Sequence, residues 1–383
     1  MDVLSLKNVV PIFRNHLNFH KCSSQVSMNT KRITIYGRSY GPDELALLRQ
    51  HEERCIREDL VDFLSECFSE LPTVVVQSSG SSGRPKVMHV EKKHMMASAR
   101  MTCSFLGLKA GDTALLCMPL KYIGAKMMVV RALEFGLDLR SVEPSGHALR
   151  GIKEPPVFLA MTPAQVFSSL QTAEEAETLR QTRHLIIGGS AIDAELDRLL
   201  KDFPHFVWST YGMTETLSHI ALRRLNGIHA SDWYSPFEGV SLRLTDEGAL
   251  AIQAPAVCTE EIVTSDLAEF DAEGRFRILG RRDNIINSGG IKLQIEDIEN
   301  RLLPIIPYAF QIVPAPDAHF GEVVSMLVEE EREDWGQYFT SLHPYSRPKH
   351  VFTVHALPRT GSGKPDRATA RSMVCRLMRN NHA

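Results

Sequence analysis

The chain has 383 residues, with 43 Lys plus Arg against 46 Asp plus Glu and a formal net charge of −3. Hydrophobic residues make up 43% and charged residues 23%, the balance of a globular chain with material for roughly two or three domains. No apolar run approaches the roughly 18–20 residues of a membrane span, and near-neutrality without a long basic block excludes backbone-driven nucleic-acid binding.

Residues 1–27 carry scattered Lys7, Arg14 and Lys21, with Pro11 and no apolar block of signal-peptide quality. A poorly ordered extension is expected there, with a start at Met28, a targeting peptide or a docking arm as alternatives. The alternation Ile33–Tyr36, a turn at Gly37 and Pro42-Asp43-Glu44 opening a helix then read as structure. From about residue 70 to 240, short apolar strands alternate with amphipathic helices: Val74–Val76 before a Ser/Gly loop, Val157–Ala160 before Thr162-Pro163, Leu185–Ile187 before Gly188-Gly189-Ser190, and Phe206–Trp208 before Ser209-Thr210-Tyr211-Gly212. Four such steps predict a mostly parallel, helix-covered sheet whose strand C-termini face a ligand.

After Pro236 the period changes. Leu242, Leu244, Leu250 and Ile252 alternate around Asp246-Glu247-Gly248, and Phe276 and Ile278 follow a turn at Asp271–Gly274, predicting antiparallel strands. A basic loop at Gly280–Gly290, a helix ending before Pro304 and a mixed remainder predict a small α+β domain from Asp283 onward. The expected division is a 1–27 extension, a large domain over 28–282 and a C-terminal lid over 283–383. The cysteines at 22, 55, 67, 103, 117, 258 and 375 are odd in number and form no C-x-x-C pair, which suits free thiols in a reducing cytoplasm.

Three segments carry chemistry. Ser78–Lys86 (SSGSSGRPK) follows a strand and offers backbone N–H groups, hydroxyls and cations to phosphate; without a Gly-Lys-Ser/Thr ending it is not a Walker A loop. Alone, such a loop also reads as a linker. Ser209–Thr216 places an aromatic face, hydroxyls and Glu215 at a strand end, as a nucleotide–Mg²⁺ complex requires; an N-capped helix start is the alternative. Arg359–Lys364 presents Lys364 on a Gly/Ser hairpin, where an exposed turn is the plain reading.

Together these segments resemble the adenylate-forming superfamily of acyl- and aryl-CoA synthetases, luciferase-like enzymes and adenylation domains. Ser78–Lys86 is similar to its phosphate loop, Tyr211–Glu215 to its Tyr-Gly-x-Thr-Glu motif and Ser265-Asp266-Leu267 to its ribose-binding segment. Gly280–Asp283 is similar to its Arg-and-hinge segment and Pro358–Lys364 to its catalytic-lysine loop. Within the superfamily, Pro119–Arg131 (PLKYIGAKMMVVR), Tyr211–Arg223 and Asn287–Glu299 most resemble o-succinylbenzoate–CoA ligases of menaquinone biosynthesis.

The resemblance implies ATP, Mg²⁺ and coenzyme A acting on a small carboxylic acid, with a homodimer left open. It implies Lys364, Glu215 and Thr214 as catalytic, Glu215 being the Mg²⁺ ligand. ATP or AMP would meet Ser79, Gly80, Ser81, Ser82, Gly83, Lys86, Gly189, Ser190, Tyr211, Gly212, Asp266 and Arg281. Asp283 would be the hinge, and Ser288, Gly289 and Gly290 would line the coenzyme A channel. Tyr122, Lys126, Arg131 and Gly188 are expected at the acid, where Arg131 could grip a second carboxylate bidentately; a solvated surface cation is the alternative. His94 and His219 lack metal-ligand spacing and read as structural or pocket-lining. Two departures stand out. The chain starts close to its phosphate loop, so part of the N-terminal subdomain of fuller members is expected to be missing. Tyr122 and Ala125 replace the His and Gly of a Pro-x-x-His-x-x-Gly pattern.

Overall fold

The computed structural model describes residues 27–28, 31–49, 57–77, 87–332, 334–360 and 364–380. The expectation of an N-terminal extension thus lies outside the described residues except at Ser27. A tight hairpin comes first, β1 (Ile33–Ile35) and β2 (Arg38–Tyr40), followed by helices α1 (Leu45–Arg49) and α2 (Glu58–Phe68). Strands β3 (Thr73–Gln77) and β4 (Val87–Glu91) flank the Ser/Gly loop. Then come α3 (Lys92–Leu106), β5 (Thr113–Leu116), α4 (Ile123–Phe135), β6 (Asp138–Ser141), β7 (Phe158–Met161), α5 (Pro163–Leu170) and α6 (Ala173–Gln181). This part ends with β8 (His184–Ile187), α7 (Ala194–Leu200), β9 (Phe206–Gly212), β10 (His219–Arg224) and β11 (Ser235–Pro236).

Nine strands form one sheet in the order β11-β10-β9-β8-β7-β5-β6-β1-β2. Its six inner strands, β9 through β1, run parallel, and antiparallel strands close both edges. Period-two alternation assigns each residue to a face. Leu115, Leu159, Leu185 and Val207 pack beneath α5, α6 and α7, while Ala114, Leu116, Phe158 and Ile186 pack beneath α3 and α4. Each fully buried aliphatic or aromatic side chain contributes about 1.5–3 kcal/mol, and burial on both faces is why these strands are apolar almost throughout. Thr162 caps α5 as its sequence suggests, accepting from the Gln165 backbone N–H at 3.3 Å.

Two of the four expected strand–helix steps differ. Strand β3 is not in the parallel sheet: it pairs antiparallel with β4, because the connection over 78–86 is too short for the crossover that parallel neighbours require. Strand β9 is followed by β10 rather than a helix, in a hairpin whose tip is 213–218.

Strands β12 (Ser241–Leu244), β13 (Ala249–Gln253), β14 (Ile262–Phe270) and β15 (Phe276–Arg281) form the expected antiparallel sheet. The segment read as a loop at Gly280–Gly290 is more ordered than that. After one 3-10 turn at Arg282–Asn284, β16 (Ile285–Ser288) turns through Gly289 and Gly290, both at positive φ, into β17 (Ile291–Gln294). Helix α8 (Ile295–Leu302) ends before Pro304, and β18 (Phe310–Asp317), β19 (Gly321–Val328), β20 (His350–Thr353) and α9 (Arg367–Asn380) complete the chain. Strands β16–β20 share a five-stranded sheet with apolar clusters of its own, one around Ile286, Ile298 and Val324, the other around Val313, Leu327 and Val374. Among the described residues no helix is long and apolar enough to cross a membrane.

Candidate active site

The parallel strands point their C-termini at one edge, and the motif residues gather there. Beyond β8, Gly188 lies so close to β9 that a Cβ would sit 2.3 Å from Thr210 Oγ1, and Gly189 takes φ +96°. Gly212 closes the β9–β10 hairpin, where a Cβ would meet the Ser218 carbonyl oxygen at 2.2 Å. The Thr210 side chain excludes a Cβ at Gly188, left-handed backbone suits Gly189, and close backbone approach fixes Gly212. The helix-start alternative for Thr214–Thr216 is thereby excluded. Instead, Thr216 Oγ1 accepts from the Met213 N–H at 3.0 Å, the Leu217 N–H donates to the Thr214 carbonyl, and buried Leu217 holds φ +64°, a strain of about 1–2 kcal/mol. Thr214 is buried at this tip and Glu215 is exposed on it.

Facing the hairpin is the β14–β15 ladder, whose register pairs Asp266 with Arg281. Tyr211 donates its hydroxyl to Asp266 Oδ2 at 2.6 Å, and Arg281 Nη1 reaches Asp266 Oδ1 at 3.1 Å. Arg281 also donates through Nη2 to Asp283 Oδ2 at 3.0 Å, joining the ribose-type pair to the expected hinge residue. The Tyr211 ring lies edge-on to Phe276, centroids 5.0 Å apart; burial and then the Asp266 carboxylate push its phenol pKa up. Lys364 follows the C-terminal sheet, its backbone N–H donating to Thr360 Oγ1 at 3.2 Å. Burial first, then Arg281, pull its ammonium below the ordinary lysine pKa, with Asp266 opposing. The neighbouring Gly361–Gly363 lie outside the described residues, as do Ser79, Gly80, Ser81, Ser82, Gly83 and Lys86 of the Ser/Gly loop. The loop's entrance is described: Gln77 bridges Tyr122, the residue before α4.

The two acid-side cations separate as their five-residue spacing implies. Lys126 turns toward α2 and β3, donating to the Val75 carbonyl at 2.9 Å and lying 3.5 Å from Glu66, which neutralises it within the scaffold. Arg131 turns the other way and is 1% exposed, so the surface-cation alternative fails. Its Nη2 donates to Ser218 Oγ at 2.7 Å and to Thr102 Oγ1 at 3.3 Å, its Nε has no partner, and among the described residues no carboxylate pairs with it. Burial pulls its pKa down to about 10. His219 completes the ring, 3.0 Å from Thr102 Oγ1 and 3.3 Å from Ser218 Oγ; burial and then Arg131 hold its pKa well below the ordinary range, so it is neutral. Thr102 and Ser218 escaped sequence reasoning because an isolated hydroxyl carries no pattern. The Tyr211–Asp266 bond escaped it because the two residues meet only across sheets. In the C-terminal sheet, Ser288 is buried opposite Gly321, and the Gly289 N–H donates to the Phe320 carbonyl at 2.9 Å.

Comparison with known proteins agrees with this geometry. A 2-succinylbenzoate–CoA ligase of Enterococcus faecalis is 24% identical over 333 residues, spanning 77% of this chain and 69% of that protein. The solved structure of an AMP-forming acyl-CoA synthetase/AMP-acid ligase II-like protein from Dyadobacter fermentans is 30% identical, with TM-score 0.57, covering 86% of this chain and 98% of that one. The o-succinylbenzoate coenzyme A synthetase of Bacillus subtilis, solved with ATP and magnesium ion, is 21% identical with TM-score 0.65, covering 80% of this chain and 74% of that one, a likeness of fold. The AMP-binding enzyme family matches residues 42–257, more than half of the sequence. The chain therefore belongs to the AMP-binding enzymes, the family of adenylate-forming acid–CoA ligases.

Proposed function

We propose that the protein converts o-succinylbenzoate to its coenzyme A thioester in two steps, with a domain boundary near Asp283. A carboxylate is a poor electrophile, so its oxygen first attacks the α-phosphorus of ATP. The new P–O bond forms as the bond to pyrophosphate breaks, leaving an acyl-adenylate. Negative charge grows on the α-phosphate oxygens in that step, and Lys364 is the cation that meets it. The Ser79–Ser82 hydroxyls, Gly83 and Lys86 hold the phosphates with Thr214. Asp266 and Arg281 bracket the ribose, and Tyr211 with Gly188–Ser190 and Gly212 borders the adenine. Glu215, exposed at the hairpin tip, would be the carboxylate ligand of a Mg²⁺ bound with ATP, which would offset phosphate charge. In the second step the thiol sulfur of coenzyme A attacks the acyl carbon and AMP leaves with the C–O bond electrons. The thiol needs the space that Lys364 held, so the C-terminal unit pivots about Asp283 and brings Ser288-Gly289-Gly290 to the adenylate.

The observation that carries this reading is the Tyr211–Asp266–Arg281 cluster at the strand ends, whose charges act on Lys364. For the acid, support comes from Arg131, buried in the C-terminal half of α4 and unpaired with any carboxylate among the described residues, a partner for the second carboxylate of a dicarboxylic aromatic acid. The test is AMP release with ATP, coenzyme A and o-succinylbenzoate, run beside benzoate-like and short acyl acids. Turnover confined to the monocarboxylic acids, or transfer only to a carrier protein, would move the assignment to another acid within the same chemistry.

A further inference from the structure

The C-terminal sheet meets the end of β15 directly, at the Arg281 peptide. Gln294, the last residue of β17, lays its side chain across Gly280 of β15. There Gln294 Nε2 donates to the Arg281 carbonyl at 2.9 Å. Gly280 holds φ +153°, and a Cβ on it would come within 2.4 Å of Gln294 Nε2 and 2.6 Å of Cδ. The amide therefore fits only because residue 280 lacks a side chain. Gln294 also donates to Glu296, which in turn receives Asn284 Nδ2, so the amide is held from the α8 side as well. Around this contact lies a groove of about 690 Å³. Asp246, Glu247 and Leu267 line it from the antiparallel sheet, Ile285 and Lys292 from the C-terminal one, and an Arg282–Glu247 ion pair crosses it. The carbonyl that Gln294 grips belongs to the residue whose guanidinium binds Asp266 on one side and Asp283 on the other.

We propose that Gln294 on Gly280 is the seat that holds the C-terminal unit in the arrangement used for adenylate formation. Gln294 is thus a positioning residue for adenylate formation and not for thioester formation. The inference rests on the two-step reading above, because only a unit that must leave this arrangement needs a contact specific to it. The contact joins elements on either side of the Arg282–Asn284 turn, so rotation about Asp283 breaks it, whereas the β16–β17 hairpin carrying Gln294 moves as a piece.

The test uses the full chain with Gln294→Glu, nearly isosteric, which sets an acceptor against the Arg281 carbonyl and Glu296, and Gln294→Ala, which only deletes the donor. Acid-dependent pyrophosphate exchange should fall roughly fivefold in Gln294→Ala and further in Gln294→Glu. Thioester formation from supplied acyl-adenylate should be unchanged or faster. A readout independent of activity is tryptic cleavage after Arg281 and Arg282, which should be slow in the wild-type chain and faster in both variants. Equal loss in the two half-reactions, or wild-type cleavage rates in both variants, overturns the seat. If the wild-type chain shows no exchange with any acid, the two-step reading fails, while the cleavage comparison still decides whether Gln294 holds the two units together.

Discussion

The nucleotide edge and the acid side of this molecule treat charge in opposite ways. At the nucleotide edge the ladder charges are paired: Asp266 takes Tyr211 on one oxygen and Arg281 on the other, and Arg281 takes Asp283 as well. On the acid side a fully buried guanidinium meets two hydroxyls, the Met128 sulfur and the Phe158 ring but, among the described residues, no carboxylate, and it stands near a neutral imidazole. The first arrangement is a preorganised surface whose bonds a ribose can enter by exchange, at little cost in reorganisation. The second retains an uncompensated cation, which costs stability unless something anionic arrives. Under the proposed function, the paired cluster would face the nucleotide and the unmatched Arg131 would face the part of the substrate that distinguishes one acid from another.

Removing Lys364, the cation proposed for the reacting phosphate, should have the largest effect. Lys364→Ala should lower pyrophosphate exchange by roughly 10²–10³-fold while thioester formation from added acyl-adenylate persists. A matching loss in both half-reactions would put Lys364 in the scaffold and not in the first step.

Arg131 sharpens the comparison because stability and activity should move in opposite directions. Arg131→Met removes an unmatched buried charge and fills its volume, so the thermal midpoint should hold or rise. The kcat/KM for o-succinylbenzoate should nevertheless drop about 10- to 100-fold, the worth of a charge-assisted hydrogen bond of about 1.5–3 kcal/mol. An acid lacking the second carboxylate should be far less affected. Equal losses for both acids, with a falling midpoint, would mean that Arg131 serves packing alone. Tyr211→Phe breaks the nucleotide edge more gently: Asp266 loses one donor and keeps Arg281, so KM for ATP should rise about fivefold with kcat little changed. A steady KM would show that Asp266 needs no help from the phenol.

The same contrast explains what could be read from the sequence. Thr162-Pro163, the Leu242–Ile252 alternation and the helix before Pro304 were legible because capping, period-two patterning and proline act over a few residues. The order of Tyr211, Asp266, Arg281 and Lys364 was legible because each sits in a short segment with a recognisable chemical make-up. What stayed hidden depended on partners distant in the chain. β3 has the look of a buried parallel strand, and only its pairing with β4 across a short loop says otherwise. The hairpin of β16 and β17 was masked by the basic, glycine-containing composition of its turn. Whether Arg131 lay on the surface or inside turned on which face of α4 it occupied, and Lys126, on the same helix, faces α2 and β3 instead.

The smallest expected effect concerns pH, and it isolates Lys364 while the site stays intact. Burial and Arg281 place its pKa below that of an ordinary lysine, about 10.4. Its protonated form is the one that meets charge on the α-phosphate, so adenylation must fall as pH rises through that lowered pKa. In the free enzyme, kcat/KM for ATP in pyrophosphate exchange should show an alkaline limb below pH 10.4. Bound ATP adds negative charge beside the ammonium and favours its charged form, so the limb in kcat should move to higher pH. Lys364→Arg should be slower at every pH yet lose the limb, since a guanidinium stays protonated throughout the range. A limb that persists in Lys364→Arg would assign the titration to another group, and one that moves down when ATP binds would contradict the approach of Lys364 to the phosphates.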